Sequence, residues 1–151
     1  MSRTVIETER RLPYAPADLA SLVSDVRRYP DFLPWLKRLD ILSETDKDGV
    51  REFVARAWVG WRAVSERFTS KVRVSGTDVD VGLVDGPFRH LENSWRFQPD
   101  GKGGSIIKFR VAFEFKSLLL QTIASANRGI VADRIIKAFE AEAKRRFTAQ
   151  A

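Results

Sequence analysis

Apolar and polar residues alternate with a period of two along most of this chain, and the period lengthens to that of a helix near the start and over the last third. Residues 3–11 alternate around Val5 and stop short of Pro13, which predicts a strand. Pro16 stands where a first helical residue would, Asp18 follows in the first turn, and Leu19, Leu22, Val23 and Val26 recur at helical spacing. That helix should end before Pro30, and Pro30 and Pro34 leave room only for short helical turns. Strands are then expected over 37–45, 50–59, 62–74, 77–85, 89–99 and 105–116. Turns at Asp46-Lys47-Asp48-Gly49, Gly60, Gly76 and Asp100-Gly101-Lys102-Gly103-Gly104 divide them. In the last strand Ile107, Phe109, Val111, Phe113 and Phe115 share one face, while Lys108, Arg110, Glu114 and Lys116 share the other. Such alternation belongs to a sheet with one buried and one wet face. Ser117 suits the N-cap of a long final helix. Leu120, Ile123, Asn127, Val131, Ile135, Ala138 and Phe139 form its apolar stripe, with Asp133, Lys137, Glu140 and Lys144 opposite. Strand, helical segment, about six strands and a long helix make an α+β fold. A curved antiparallel sheet wrapped around that helix would leave a cavity between them.

Composition narrows the class. The chain has 151 residues, 44% of them hydrophobic and 30% charged, which predicts one soluble globular domain spanning 1–151. Its longest apolar runs, such as Trp58-Val59-Gly60-Trp61 and Leu118-Leu119-Leu120, fall far short of the ~18 residues a transmembrane helix needs. Met1 leads into a segment carrying Glu7 and Glu9, which fits neither a signal peptide nor a transit peptide. With no cysteine, disulfides, thiolate metal sites and cysteine nucleophiles are excluded. A net charge of +6 serves solubility, and equally serves contact with anionic lipid or nucleic acid.

The candidates for chemistry are few. His90 is the single histidine, without a Gly-x-Ser-x-Gly elbow or companion metal ligands, so a solvated or core-satisfied role is expected. Gly101-Lys102-Gly103-Gly104-Ser105 lacks the spacing of a phosphate loop and precedes a strand, so it reads as a hairpin turn. Asp78 and Asp80 share a strand face opposite Val79, Val81 and Leu83, which places them in water. Aromatic rings dominate instead. Trp58, Trp61, Phe68, Trp95, Phe97, Phe109, Phe113 and Phe115 can fill a core or wall a ligand pocket. Two features favour a ligand: rings cluster beside Pro30, Pro34 and Pro87, and residues 117–127 carry no charge while Ser117, Gln121, Thr122, Ser125 and Asn127 punctuate them. Asn127 falls on the apolar stripe, where its amide needs a backbone carbonyl, a trapped water or a ligand oxygen.

Tyr29-Pro30 with Phe32 and Pro34-Trp35, then Gly86-Pro87-Phe88 with Leu91, Trp95 and Phe97, then the Phe113–Phe115 strand leading into Ser117, together resemble the coenzyme Q-binding protein family. That family extends to ribosome-association toxin-like and polyketide cyclase-like bacterial members, and the resemblance runs from about Arg3 to Phe147. It implies the helix-grip (START/Bet v 1-like) fold, a curved antiparallel sheet of six to seven strands around a long C-terminal helix, enclosing an apolar tunnel. It also implies a function without catalysis: binding ubiquinone or a related prenyl lipid in support of respiratory electron transport. Phe32, Pro34 and Trp35 would edge the mouth, and Pro87 and Phe88 would sit at a second loop by the cavity. With the rings Trp58, Phe68, Trp95 and Phe113, and with Ile123 and Asn127 on the helix, these make up the expected ligand-binding set. Ubiquinone would be bound cargo, with no cofactor or metal. The expected location is cytoplasmic, with peripheral contact on the inner face of an anionic membrane. The competing reading is a ribosome-associating protein that touches ribosomal RNA, not DNA, through its basic surface. A third, a polyketide cyclase or dehydratase, would need an acid or base such as His90 or Glu66.

Overall fold

The computed structural model describes residues 3–61 and 64–147, with the side chains of Trp61 and Val64 excepted. Seven strands form one antiparallel sheet in the order β1-β7-β6-β5-β4-β3-β2. They are β1 (Thr4–Leu12), β2 (Leu36–Lys47), β3 (Val50–Trp61), β4 (Val64–Ser75), β5 (Asp78–Asp85), β6 (Phe88–Pro99) and β7 (Ser105–Phe115). Between β1 and β2 lie α1 (Pro16–Ser24), a 3₁₀ turn at Val26–Arg28, and the single-turn α2 (Tyr29–Phe32). Two helices follow the sheet, α3 (Leu118–Ala126) and α4 (Arg128–Arg146). This is the expected α+β helix-grip arrangement, with the first and last strands paired so that β1 joins β7 from Thr4↔Phe113 to Leu12↔Ser105.

Alternation assigns the two faces. Phe53, Ala55 and Ala57 of β3, Ser70, Val72 and Val74 of β4, Val79 of β5, Trp95 and Phe97 of β6, and Ile107 and Phe109 of β7 are buried on the concave side. Leu19, Leu22 and Val23 of α1 and Ile136, Phe139 and Ala143 of α4 close over them. Ion pairs hold α4 in place. Arg10 of β1 reaches Asp133 at 2.8 Å, and Lys137 reaches the same carboxylate at 3.0 Å. Hydrogen bonds from Arg10 and then Lys137 hold the Asp133 carboxyl below its ordinary range. At the other end of α4, buried Glu142 accepts from Arg145 and Arg146, and Arg146 also meets Asp25 at 3.4 Å. Those bonds, Arg145 first, lower the Glu142 carboxyl to about 2 against the drag of burial.

Two expectations about elements need correction. The chain does not turn at Gly60: β3 continues through it, Gly60 pairs with Ser65, and its N–H donates to the Trp35 carbonyl at 2.8 Å. Residues 62 and 63, expected to open the next strand, and the ring of Trp61 lie outside what is described. The C-terminal helix is not continuous. Ser117 caps it as expected, accepting from Leu120 N at 3.2 Å, but α3 ends at Asn127 and α4 starts afresh at Arg128. Asn127 and Gly129 are weak helix formers placed together, so the break has a cause in the sequence.

Candidate ligand-binding site

The concave interior has a closed half and a half-open one. In the closed half the Phe139 ring stands edge-on to Tyr29 and to Phe32, each at 5.3 Å, and lies 5.0 Å from Trp95. Trp95 packs on Phe109 at 4.7 Å and beside Phe97 at 6.1 Å, and its indole N–H donates to Asn93 Oδ1 at 2.9 Å. Tyr29 donates its hydroxyl to the Val23 carbonyl, and burial pushes the phenol well above its ordinary pKa. These groups are satisfied by one another.

The half-open end is different. Phe88 stacks on Phe115 at 4.5 Å and stands edge-on to Phe68 at 5.7 Å, while Phe113 meets Phe115 at 5.8 Å. Phe68, Phe88 and Phe115 are only partly buried. So are Val59, Val81, Leu83, Leu91 and Val111, which alternation also places on the concave face. Apolar side chains that point inward yet remain partly accessible leave this end of the interior less closed than the other.

The Gly86-Pro87-Phe88 segment builds this end. Gly86 has φ +149°, and a Cβ there would come within 2.5 Å of the Phe68 Cβ, so only glycine lets the strand crossing approach so closely. Pro87 accepts from Lys116 N–H at 2.8 Å, which ties the crossing to the end of β7. A bulge between Phe88 and His90 then lets Phe88 pair with Phe115 and face inward. Past Gly82, β5 remains beside β4 but no longer pairs with β6. The sheet is thus split at this end, and a hollow of about 590 Å³ opens on its convex side, lined in part by Arg73, Asp80, Glu92 and Arg110. A second hollow, of about 620 Å³, lies between α1 and the far hairpin ends.

The expected site residues therefore divide. Phe68, Phe88 and Phe113 are brought together at the half-open end. Trp95 belongs to the closed half, and so does Phe32, which therefore does not edge a mouth as expected: it packs on Phe139 with the Arg146 guanidinium 5.7 Å above its ring. Trp35 is half-buried, and exposed Pro34 accepts from Lys37 Nζ at 2.9 Å. Three further placements differ from expectation. Trp58 lies on the convex face, because it alternates with buried Ala55 and Ala57, and the Arg38 guanidinium covers it at 4.7 Å. Ile123 is 37% exposed on the outside of α3. Asn127 sits at the helix break, where its amide donates to the Ile123 carbonyl at 2.7 Å. The buried amide is Gln121 instead. Its Oε1 accepts from Phe115 N–H at 2.8 Å, and its Nε2 donates to Thr4 Oγ1 at 3.0 Å and lies 3.4 Å from Ser125 Oγ. A signal existed in the spacing: Gln121 stands about three helical turns before Ala132, so it shares the inward phase of Ala132, Ile136, Phe139 and Ala143, and Asn127 does not.

The remaining candidates resolve simply. Asp78 and Asp80 both pair with Arg96 on the convex face, at 3.7 and 2.9 Å. Asp100 Oδ1 accepts from Lys102 N and Gly104 N, the signature of a hairpin turn. His90 lies 3.4 Å from Glu92 on the convex side, whereas Glu66, in register with Phe68, lies on the concave side. Among the described residues no group of three or more His, Cys, Asp or Glu side chains could hold a metal ion.

Residues 12–140 match the family described as polyketide cyclase/dehydrase and lipid transport. A ribosome association toxin, RatA, of Rickettsia prowazekii is 34% identical over 138 residues, covering 88% of this chain and 91% of its own. The mitochondrial coenzyme Q-binding protein COQ10 of Drosophila melanogaster is 36% identical over 138 residues, covering 88% of this chain and 55% of its own, so this chain spans about half its length. The solution structure of the 18 kDa protein CC1736 from Caulobacter crescentus superposes with a TM-score of 0.77 at 37% identity, over 96% of this chain and 97% of that one. The expected START/Bet v 1-like fold is the observed one. By the span of the family match and by the identity to these relatives, the chain belongs to the polyketide cyclase/dehydrase and lipid transport family.

Proposed function

We propose that this protein binds ubiquinone or a related prenyl lipid without catalysing a reaction, and supports respiratory electron transport as a carrier working peripherally at the inner face of a membrane. The observation that carries this reading is the ring-walled, incompletely closed end of the interior at Phe68, Phe88 and Phe115, bordered by inward-facing, partly accessible Val81, Leu83, Leu91 and Val111. A quinone ring is flat and apolar between its oxygens, so it stacks against such rings. Its isoprenoid tail gains about 0.8 kcal/mol for each CH₂ taken out of water. The filled half of the interior then sets the depth of entry, and the tail trails out beside α3. The COQ10 relative supports the same ligand. The test is to purify the protein from a quinone-producing host and analyse its organic extract by mass spectrometry. Co-purified ubiquinone is expected. A protein that is empty, and that also takes up no quinone from liposomes, overturns the reading.

A second reading, ribosome association, is favoured by one observation: the RatA relative aligns over nearly the whole of both chains. The convex face would supply the contact, with Arg56, Arg67, Lys71 and Arg73 on β3 and β4 near Trp58. Co-sedimentation with ribosomal subunits that weakens steeply with salt would establish it.

A further inference from the structure

We propose that α3, with the first turn of α4, is the surface that seats this protein on an anionic membrane. The inference deepens the lipid-carrier reading and rests on it for its purpose, though not for its test.

The helix is built inside out. Its buried side is polar: Gln121 is 5% exposed and bonds to Phe115 N–H and Thr4, and Ser125 contacts Thr4 Oγ1. Its outward side is apolar: Leu118 is 66% exposed and Leu119 69%, with Ile123 beside them and Ile130 following on α4. An ordinary surface helix has the reverse arrangement. The polar groups that remain on α3 are used within the chain. Ser117 accepts from Leu120 N–H, Thr122 donates to the Leu118 carbonyl at 2.8 Å, and Asn127 donates to the Ile123 carbonyl. Thr122 thus satisfies its hydroxyl hydrogen inside the helix. A helix whose inner polar side chains bond to the rest of the chain, and whose leucines point away from the protein, suits the boundary between headgroups and acyl chains.

The charge around it selects the partner. From Phe115 to Ala132 there is no Asp or Glu, and Lys116 and Arg128, both exposed, stand at the two ends of α3. Cations flanking an apolar face match an anionic headgroup layer. A second copy of the chain fits less well. A nine-residue helix is about 14 Å long, too short to supply the ~800 Å² per partner that stable interfaces bury. Position completes the argument. Ala124 of α3 packs in the same cluster as Phe88, Leu91 and Phe115, so a lipid leaving the bilayer beneath α3 arrives at the ring-walled end of the interior.

The experiment uses the full chain and vesicles of phosphatidylethanolamine with or without phosphatidylglycerol, read by co-sedimentation. Binding to the anionic vesicles is expected. Leu118→Asp with Leu119→Asp should weaken it by roughly tenfold or more, the factor that matches withdrawal of one buried leucine. Lys116→Glu with Arg128→Glu should weaken it on anionic vesicles only. The chain has no cysteine, so Leu119→Cys carrying an environment-sensitive dye reports insertion directly as a blue shift. Vesicle binding untouched by the leucine pair, an unshifted dye, or wild-type protein that stays in the supernatant each overturns the proposal. So does a dimer that the leucine pair converts to monomer in the absence of vesicle binding. Binding of a water-soluble short-tailed quinone is measured in parallel. Its retention in the leucine variant separates a failure of the docking surface from a failure of the carrier reading.

Discussion

At the scale of single residues, Gly86 and Glu142 carry more than their size suggests. Gly86 holds a backbone angle of φ +149° and lies where any Cβ would strike Phe68. Gly86→Ala is expected to cost about 1–3 kcal/mol in urea unfolding from backbone strain alone. It should also lower quinone uptake, because relief of the clash pushes Phe68 away from Phe88. A stability unchanged from wild type would refute this account of the Gly-Pro-Phe segment. Glu142 concerns pH. Its carboxyl falls from an ordinary 4.5 to about 2 in the folded protein, chiefly through the hydrogen bond from Arg145. A depressed folded-state pKa means that the stabilisation is complete above about 4.5 and is lost progressively as pH falls toward 2. Glu142→Gln should therefore be less stable than wild type at neutral pH and show a flatter decline in urea midpoint through that acid window. Parallel acid profiles for the two proteins would contradict it.

At the scale of elements, the strands were legible because each has one wet face, and period-two alternation records that directly. The boundaries of β5, β6 and β7 moved by no more than a residue from the sequence expectation. The helices were less legible for a physical reason. The stripe through Leu120, Ile123, Asn127, Val131, Ile135 and Ala138 is out of phase with the buried one, Gln121, Ala132, Ile136, Phe139 and Ala143, because α3 carries its apolar side chains outward. Of the expected stripe only Phe139 is fully buried, and Ile135 and Ala138 are partly buried beside it. Ile123 and Asn127 are not buried, and Gln121 took the inner position. Trp58 shows a similar limit on the sheet. An aromatic-rich sequence tempts one to place every ring inside, yet alternation with Ala55 and Ala57 already put this one outside. The parity of the strand was better evidence than the hydrophobicity of the side chain.

At the scale of the whole molecule, the fold keeps its two candidate roles on separate surfaces. The concave side and α3 suit lipid, and the convex side of β3 and β4 carries the cations. No helix among the described residues is long and apolar enough to cross a membrane. The parting of β5 from β6 beyond Gly82 has its own consequence. Five residue pairs, Asp78↔Arg96 to Gly82↔Glu92, make up the strand ladder that joins four strands to the other three. The sheet is mechanically two leaves on a short spine, free to spread at one margin while the opposite margin stays shut. Deuterium should accordingly enter the Leu83–Asp85 amides well before those of Val79 and Val81, and a tail-bearing guest should slow that entry by filling the gap between the leaves.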